Sequence, residues 1–278
     1  MRERSTAATV YFGLMLSRRN FLGLMPCAVV GSSLKPVMAS ASQVGAKIYP
    51  EFPSQDPAKV MAVVGASHRD LDKVKELVSA SPALAKAAWD WGFGDWETAL
   101  GAASHVGRHD IAEYLIANGA RPDIFTFAMM GNLEVIKAAV ASNPGIQKLY
   151  GPHSINLMRH AEAGGERARA VVAYLKSVDG ADTPPPNLPL TDEQKAGYVG
   201  KYMFGTGAGD GFEVTVNRQG NLSLQRLTKN AVNLFRVEEH GFHPGGSPAV
   251  RVRFTVQNGK AVSLTVHDPA PIVTAVKS

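Results

Sequence analysis

The segment that decides the fold of this chain covers residues 97–124, ETALGAASHVGRHDIAEYLIANGARPDI. The small side chains of Ala102 and Ala103 allow neighbouring helices to approach closely, and Leu115 supplies an apolar residue for a second helix. Gly107 and Gly119 follow the two apolar stretches, where glycine can adopt the positive φ of a helix-ending turn. The segment therefore predicts two short helices joined by a tight turn.

These residues resemble one ankyrin repeat. Thr98 and Leu100 match positions of the Thr-Pro-Leu-His turn of that family, and residues 119–120 match its usual Gly-Ala ending. The copy is degenerate, because Ala99 replaces the proline and Gly101 replaces the histidine of the turn. The resemblance implies a helical solenoid whose concave face binds another protein.

Three further segments resemble the same repeat: residues 66–78, 128–137 and 164–182. Equivalent positions lie 38, 24 and 33 residues apart along the chain, whereas the ankyrin period is about 33 residues. Three or more repeats are needed to bury a continuous core. We therefore expect about four irregular ankyrin repeats over residues 56–182, with an unrelated helical bundle of similar periodicity as the alternative.

The N-terminal segment is similar to a twin-arginine export signal. Residues 17–22, SRRNFL, precede a mildly apolar run over residues 23–30, and small residues offer cleavage after Ala39 or Ala41. This run is shorter than the roughly 20 apolar residues that span a membrane. We therefore expect residues 1–41 to direct export to the periplasm and to leave no stable membrane insertion after cleavage. The residues of the signal itself are Arg18, Arg19, Phe21 and Leu22.

Removal of this segment changes the charge of the chain. Five basic side chains and Glu3 give residues 1–41 a net charge of +4, so the formal +5 of the whole chain falls to +1. A nearly neutral chain gives no electrostatic reason to expect binding to nucleic acid or to an anionic membrane. The only cysteine, Cys27, also lies in this segment, so we expect no disulfide and no thiolate ligand in the mature chain.

Residues 89–96, WDWGFGDW, contain all three tryptophans of the chain. The ankyrin resemblance places this segment at a hairpin that borders the binding face. Trp91 and Phe93 have glycine neighbours, so we predict that they are the more exposed pair and that Trp89 and Trp96 fill the helix stack. The predicted partner-binding surface consists of Trp91, Phe93, His105 and Arg108.

The histidines give no familiar metal pattern. His105 and His109 have the i, i+4 spacing of two ligands on one helix face, but Gly107 between them ends the helix. His153 and His160 match no known metalloenzyme motif. We therefore expect no metal ion and no cofactor. Because no nucleophile and base stand at a recognisable spacing, we also expect that the chain is not an enzyme.

The C-terminal part has a different pattern. Residues 183–189, TPPPNLP, predict a stiff linker, and residues 190–199 predict a short helix capped by Thr191. Alternation of polar and apolar residues, with turns such as the Asn-Gly of residues 257–260, then predicts a small antiparallel sheet or partly open barrel over residues 190–278. Six strands are predicted, at residues 200–204, 212–216, 222–225, 233–237, 250–256 and 262–267.

Residues 198–202, YVGKY, and 251–254, RVRF, together with these strands resemble the small β-domain appended to many exported serine hydrolases of the β-lactamase-like class. No segment of the chain resembles the catalytic domain that carries the nucleophile in those proteins. The resemblance therefore implies an accessory module and no hydrolysis.

The sequence thus predicts an α+β multidomain protein, in which an α-helical ankyrin-repeat solenoid precedes a small antiparallel β-domain. The predicted function is non-catalytic binding of another protein in the periplasm. One alternative is a small-molecule-binding protein that holds an apolar or sugar ligand in the β-domain or at the Trp-rich loop. A cryptic enzyme is a further alternative, and it would require titratable residues clustered in a pocket.

Overall fold

The structure, a computed structural model, describes Tyr49 and residues 52–278. The export signal predicted for residues 1–41 lies outside the described residues. The first part of the described chain is built from short helices of six to ten residues. They are α1 (Pro57–Ala66), α2 (Leu71–Ala80), α3 (Ala99–His105), α4 (His109–Ala117), α5 (Ile124–Met129), α6 (Leu133–Ser142), α7 (Leu157–Ala163) and α8 (Arg169–Lys176).

Side-chain caps determine where several of these helices begin. Thr98 starts α3 by accepting a hydrogen bond from the backbone N–H of Gly101 at 2.8 Å. Such a cap satisfies a donor that the first helical turn leaves without a partner. The residues that cap in this way are Asp56 for α1, Asp70 for α2, Thr98 for α3, Asp123 for α5 and Asn156 for α7.

The helices pack through small side chains, as the sequence indicates. Ala102 and Ala103 are fully buried on α3. Gly107 and Gly119 have φ values of 73° and 92°, so the positive φ expected at both glycines is confirmed. Gly107 is also needed for close packing, because a Cβ at this position would lie 2.1 Å from the carbonyl oxygen of Ala163 at the end of α7.

The prediction of an ankyrin-repeat solenoid is wrong, since no helical solenoid is evident in the described residues. The 3-10 helix Pro82–Lys86 and a hairpin separate α2 from α3, and the 3-10 helices Ile146–Lys148 and Pro152–Ser154 separate α6 from α7. A solenoid requires equivalent repeats that stack on one another. The uneven spacing in the sequence reflects these insertions.

The hairpin before α3 is formed by β1 (Ala88–Asp90) and β2 (Trp96–Thr98), with Trp89 opposite Glu97. Successive side chains of an extended segment point in opposite directions. Asp95 and Glu97 are accordingly buried, whereas Trp96 between them is 62% exposed. The prediction that Trp96 fills the helix stack is therefore wrong.

The C-terminal part begins with α9 (Asp192–Tyr198), whose predicted Thr191 cap is confirmed as a capping box with Gln194. Eight antiparallel strands then form a closed barrel in the order β10-β3-β4-β5-β6-β7-β8-β9. The strands are β3 (Gly200–Met203), β4 (Gly211–Val216), β5 (Leu222–Arg226), β6 (Ala231–Glu238), β7 (Gly241–Pro244), β8 (Arg251–Gln257), β9 (Lys260–Asp268) and β10 (Ala270–Lys277).

The prediction of a partly open barrel is wrong, because β10 closes the sheet. It pairs with β9 on one side and with β3 on the other, where Val276 lies opposite Met203. Large apolar side chains fill the barrel core, as they do in other small barrels. They include Tyr202, Phe212, Leu224, Phe242, Phe254 and Leu264.

Residues Ile48–Ser278 form one compact unit. The division into a helical domain over residues 56–182, a linker and a β-domain over residues 190–278 stays a prediction. Within the described range, none of the helices combines the length and the apolar character that crossing a membrane requires.

Candidate functional site

The site is centred on Glu97, whose side chain is completely buried. Trp91 Nε1 donates a hydrogen bond to Glu97 Oε2 at 2.8 Å, and His105 Nδ1 lies 3.0 Å from Glu97 Oε1. The angle between His105 Nδ1 and Glu97 Oε1 is unsuitable for a hydrogen bond. Both atoms therefore lack a hydrogen-bond partner within the described chain. A buried carboxylate is costly unless it is paired. Here the ionisable partners that the structure describes for Glu97 are all histidines.

Two further imidazoles face the same carboxylate. His68 Nε2 lies 3.5 Å from Glu97 Oε2, and His153 Nε2 lies 3.5 Å from Glu97 Oε1. Each histidine comes from a different element, since His68 follows α1, His105 ends α3 and His153 belongs to the 3-10 helix Pro152–Ser154. The ring centroids of His68 and His105 are 4.9 Å apart, and those of His105 and His153 are 5.6 Å apart. Three imidazoles therefore converge on one buried carboxylate.

The second nitrogens of His68 and His153 have fixed partners. His153 Nδ1 lies 2.7 Å from Asp95 Oδ2, while the backbone N–H of His153 donates to Asp95 Oδ1 at 3.0 Å. His68 Nδ1 lies 3.2 Å from the carbonyl oxygens of Val64 and Gly65. A carbonyl oxygen only accepts, so Nδ1 of His68 carries a proton, and in the neutral form of this ring the lone pair is at Nε2.

The charges of the site support one another. Burial alone raises the pKa of Glu97, but the polar contacts with His105 and His153 outweigh it and lower the pKa from 4.5 to about 2. Burial lowers the pKa of His153, but its hydrogen bond to Asp95 and its contact with Glu97 raise it from 6.5 to about 9. At neutral pH His153 is therefore an imidazolium between two carboxylates.

A cavity of about 320 Å³ opens beside these groups. One wall of the cavity is lined by His68, Trp91, Asp95 and His153. The other wall belongs to the barrel part and is lined by residues 230–233 and Gly245. His68 and His153 remain partly exposed, with 25% and 34% of their side-chain surface accessible. A small molecule in the cavity can therefore reach both imidazoles.

The barrel part also holds the site in place. Gly246, with φ 81°, lies so close to Asp95 that a Cβ at this position would be 2.1 Å from the carboxylate carbon. Its backbone N–H donates to Ser154 Oγ at 2.8 Å. His153 and Ser154 have φ values of 59° and 61°, a region that is uncommon for residues other than glycine and costs of order 1 kcal/mol each. The Asp95 and Gly246 contacts stabilise this conformation.

The structure places the four predicted partner-binding residues in different surroundings. Trp91 is half-buried and bonded to Glu97, and His105 lies beside the same carboxylate. Phe93 packs against the barrel core, and Arg108 precedes α4, where its Nη2 lies 2.6 Å from Asp110 Oδ2. The prediction that Trp91 and Phe93 are more exposed than Trp96 is wrong. Their role in partner binding stays a prediction.

Sequence reasoning missed His68, Asp95 and Glu97, and it gave no role to His153. One signal was present: the tripeptide Ala-Ser-His occurs at residues 66–68 and again at 103–105. It places His68 and His105 at the ends of two equivalent helices, α1 and α3. A histidine repeated at two helix ends indicates a shared site more clearly than the i, i+4 spacing of His105 and His109.

His160 is a separate buried histidine behind the site. It is fully buried, its Nδ1 lies 3.1 Å from Ser104 Oγ, and its ring centroid is 4.9 Å from that of Phe125. Burial is the main cause that lowers its pKa, from 6.5 to about 3, and the nearby His105 adds to it, while Glu97 acts in the opposite direction. His160 is therefore neutral in the folded protein.

Acid should destabilise the protein through His160. Between about pH 6.5 and pH 3 His160 binds a proton in the unfolded chain but not in the folded protein. The free energy of unfolding therefore falls as the pH is lowered through this range, and His160 causes no loss above pH 6.5. The slope from this one proton approaches about 1.4 kcal/mol per pH unit. We expect His160→Gln to flatten the decrease of the melting temperature between pH 6.5 and pH 4. His267→Gln on β9 is the control, and equal slopes in wild type and His160→Gln would contradict the prediction.

Comparison with protein-family models, with curated proteins and with solved structures found no match for this chain. The closed barrel is therefore not tied to any named domain. The function has to be argued from the geometry of the site.

Proposed function

We propose that this protein binds a small cationic ligand in the cavity beside His68 and His153. The observation that carries the proposal is the presence of two buried carboxylates, Asp95 and Glu97, next to this one open cavity. None of the residues that line it in the described chain is a lysine or an arginine. The negative charge is therefore available to a ligand instead of being fully neutralised by the protein.

The charge balance favours a cation. The carboxylates of Asp95 and Glu97 and the imidazolium of His153 together carry a net charge of −1 at neutral pH. A charged cleft with low-dielectric walls concentrates ions of the opposite sign. The fixed hydrogen bonds around both carboxylates keep the negative charge in place before the ligand arrives.

The other walls suit the same kind of ligand. The indole ring of Trp91 is held by its hydrogen bond to Glu97 and lines the cavity. An aromatic face attracts an ammonium group with about 0.5 to 2 kcal/mol. Asn230 on the opposite wall has an amide oxygen that can accept a hydrogen bond, whereas Asn233 Oδ1 already accepts one from Asn217 Nδ2 at 2.8 Å. The volume of about 320 Å³ lies at the lower end of the range of small-molecule sites.

This proposal follows the alternative in which the Trp-rich loop binds a small molecule, but it replaces an apolar or sugar ligand with a cation because of the two carboxylates. A non-catalytic role and binding of another protein remain proposals. Location in the periplasm also remains a proposal, and it rests on residues 1–41, outside the part of the chain that the structure describes.

The proposal is tested by titrating the protein with choline, ethanolamine and putrescine while tryptophan fluorescence is recorded in the presence of a metal chelator. We expect at least one amine to bind, and Trp91→Leu to weaken its binding about 2- to 30-fold because the lost cation–π contact is worth about 0.5 to 2 kcal/mol. Trp96→Leu is the matched control, because Trp96 lies outside this cavity and is mostly exposed.

Equal weakening by the two tryptophan substitutions would contradict the assignment of the cavity. Preferential binding of neutral sugars or of small carboxylic acids would contradict the cationic character of the ligand. If neither an amine nor a divalent metal ion binds, the proposed function is wrong.

A further inference from the structure

We propose that the cation is a divalent transition-metal ion held by His68, Glu97 and His153. This inference rests on the proposed function, because it names the class of cation that the site takes. It departs from the sequence-based expectation that the chain binds no metal ion.

The spacing of the three side chains fits a single ion. One nitrogen each from His68 and His153 and one oxygen from Glu97 all lie within 4.8 Å of one another. His68 Nε2 lies 3.5 Å from Glu97 Oε2, and His153 Nε2 lies 3.5 Å from the other oxygen, Oε1. Ligand atoms about 2.1 Å from a tetrahedral ion are roughly 3.4 Å apart. The three side chains are therefore close enough for small side-chain adjustments to bring one atom of each to a single ion.

The orientation of the two imidazoles is the second argument. His68 and His153 both direct Nε2 at Glu97, while Nδ1 of each ring is engaged with backbone carbonyls or with Asp95. Once the imidazolium of His153 has released its Nε2 proton to solvent, as metal binding requires, Nε2 of His153 and Nε2 of the neutral His68 ring both present lone pairs to the carboxylate oxygens of Glu97. That arrangement is repulsive unless a positive species lies between them. One metal ion satisfies both nitrogens and the carboxylate at once, whereas one proton satisfies a single nitrogen–oxygen pair.

The surrounding residues supply the support that metal ligands normally have. A histidine ligand usually donates its other ring N–H to a carboxylate or a backbone carbonyl. Asp95 serves His153 in this way at 2.7 Å, and Val64 and Gly65 serve His68 at 3.2 Å. Both partners keep the proton on Nδ1, so Nε2, which faces Glu97, is the nitrogen of each ring that can coordinate an ion.

A buried unpaired atom points to the same place. Glu97 Oε1 has no hydrogen-bond partner in the described chain although the residue is fully buried. Buried acceptors are rarely left without a partner, and each exception requires an explanation. Coordination of an ion by this carboxylate would remove the exception. Trp91 would still hold the other oxygen through its indole N–H.

The donor set selects the kind of metal. Two imidazole nitrogens and one carboxylate oxygen suit Zn²⁺ and its neighbours Co²⁺, Ni²⁺ and Cu²⁺, whereas Ca²⁺ and Mg²⁺ prefer oxygen ligands alone. Three protein ligands leave a coordination position for another molecule. His68 and His153 line the cavity, so this position would be accessible from it.

The test uses the full chain without a polyhistidine tag, with Cys27 replaced by Ser so that no thiolate competes. Zn²⁺ affinity is measured by competition with a chromophoric chelator, and Co²⁺ binding is measured by its visible absorption spectrum. We expect one ion per chain and a Co²⁺ spectrum of low coordination number. His68→Ala and His153→Ala should each weaken Zn²⁺ binding more than about 100-fold, because loss of a supporting partner alone costs 10- to 100-fold.

Asp95→Asn should weaken binding by about 10- to 100-fold, as expected of a residue that orients His153 from behind. His267→Ala on β9 is the control and should leave the affinity unchanged. His68 is the more informative position, because its Nδ1 faces only backbone carbonyl oxygens, whereas His153 is also paired with the buried Asp95. Circular dichroism of each variant, together with His68→Gln as a second substitution, separates loss of a ligand from loss of folding.

Unchanged Zn²⁺ affinity in folded His68→Ala and His153→Ala would overturn the assignment of these ligands. Absence of Zn²⁺ and Co²⁺ binding, combined with amine binding in the presence of chelator, would overturn the metal inference and leave the cationic cavity intact. Absence of both kinds of binding would overturn the inference and the proposed function together.

Discussion

Replacement of Glu97 by Gln should lower the free energy of unfolding by about 3 to 5 kcal/mol, the cost of breaking a buried ion pair on one side. The carboxylate is fully buried and faces three imidazoles and one indole N–H. A glutamine amide keeps the shape but loses the negative charge that stabilises the imidazolium of His153. Its NH₂ group also has to face either the indole N–H of Trp91 or the Nε2–H of the His153 imidazolium.

Chemical unfolding in the presence of a metal chelator measures this effect without any contribution from bound ions. Glu113→Gln provides the matched control, because Glu113 forms an exposed ion pair with Arg167 at 2.7 Å, and exposed pairs contribute about 0 to 1 kcal/mol. A Glu97→Gln protein as stable as the Glu113→Gln protein would show that the buried charge plays no part in holding the helices and the 3-10 helix of His153 together.

Much of the barrel was predictable from local pattern. Alternation placed six strands, and the Thr191 cap gave the start of α9, because both features depend only on neighbouring residues. The two missed strands, β7 and β10, are the ones that contain a proline, Pro244 and Pro271. Proline normally indicates a turn or an edge strand, so the sequence favoured an open sheet where the chain closes one.

The helical part was predicted as helices but not as the correct architecture. The roles predicted from residue type are confirmed. Close packing involves Ala102 and Ala103, and the turns with positive φ involve Gly107 and Gly119. Those roles are common to any closely packed helix pair, and they do not require a repeated stack. The resemblance to one ankyrin repeat therefore predicted the local geometry of this helix pair but not the fold.

The site was missed for a different reason. Trp96 was predicted to be buried because it is a large apolar residue. Simple alternation over residues 95–97 instead buries both acids and exposes Trp96. The contacts themselves join distant positions: Asp95 and His153 are 58 residues apart, and His68 and Glu97 are 29 residues apart. Such distances depend on how α1, α3 and the 3-10 helix pack, and no local pattern determines that packing.

Replacement of Gly107 by Ala should cost about 3 kcal/mol or more, and a single close contact accounts for most of it. A left-handed φ, here 73°, penalises any side chain by about 1 to 2 kcal/mol. The added Cβ would also lie 2.1 Å from the backbone oxygen of Ala163, so α3 and α7 must move apart, and overpacking of this kind adds about 1 to 3 kcal/mol.

Gly119→Ala separates these two contributions. Gly119 has a similar φ of 92°, but nothing lies within 4 Å of the position that its Cβ would occupy, so this substitution should cost only about 1 to 2 kcal/mol. Because α7 follows the 3-10 helix that carries His153, separation of α3 from α7 should also weaken cation binding in Gly107→Ala and not in Gly119→Ala. Urea unfolding and ligand titration of both variants test this link. Equal costs for the two variants would show that close helix approach is not the reason for glycine at position 107.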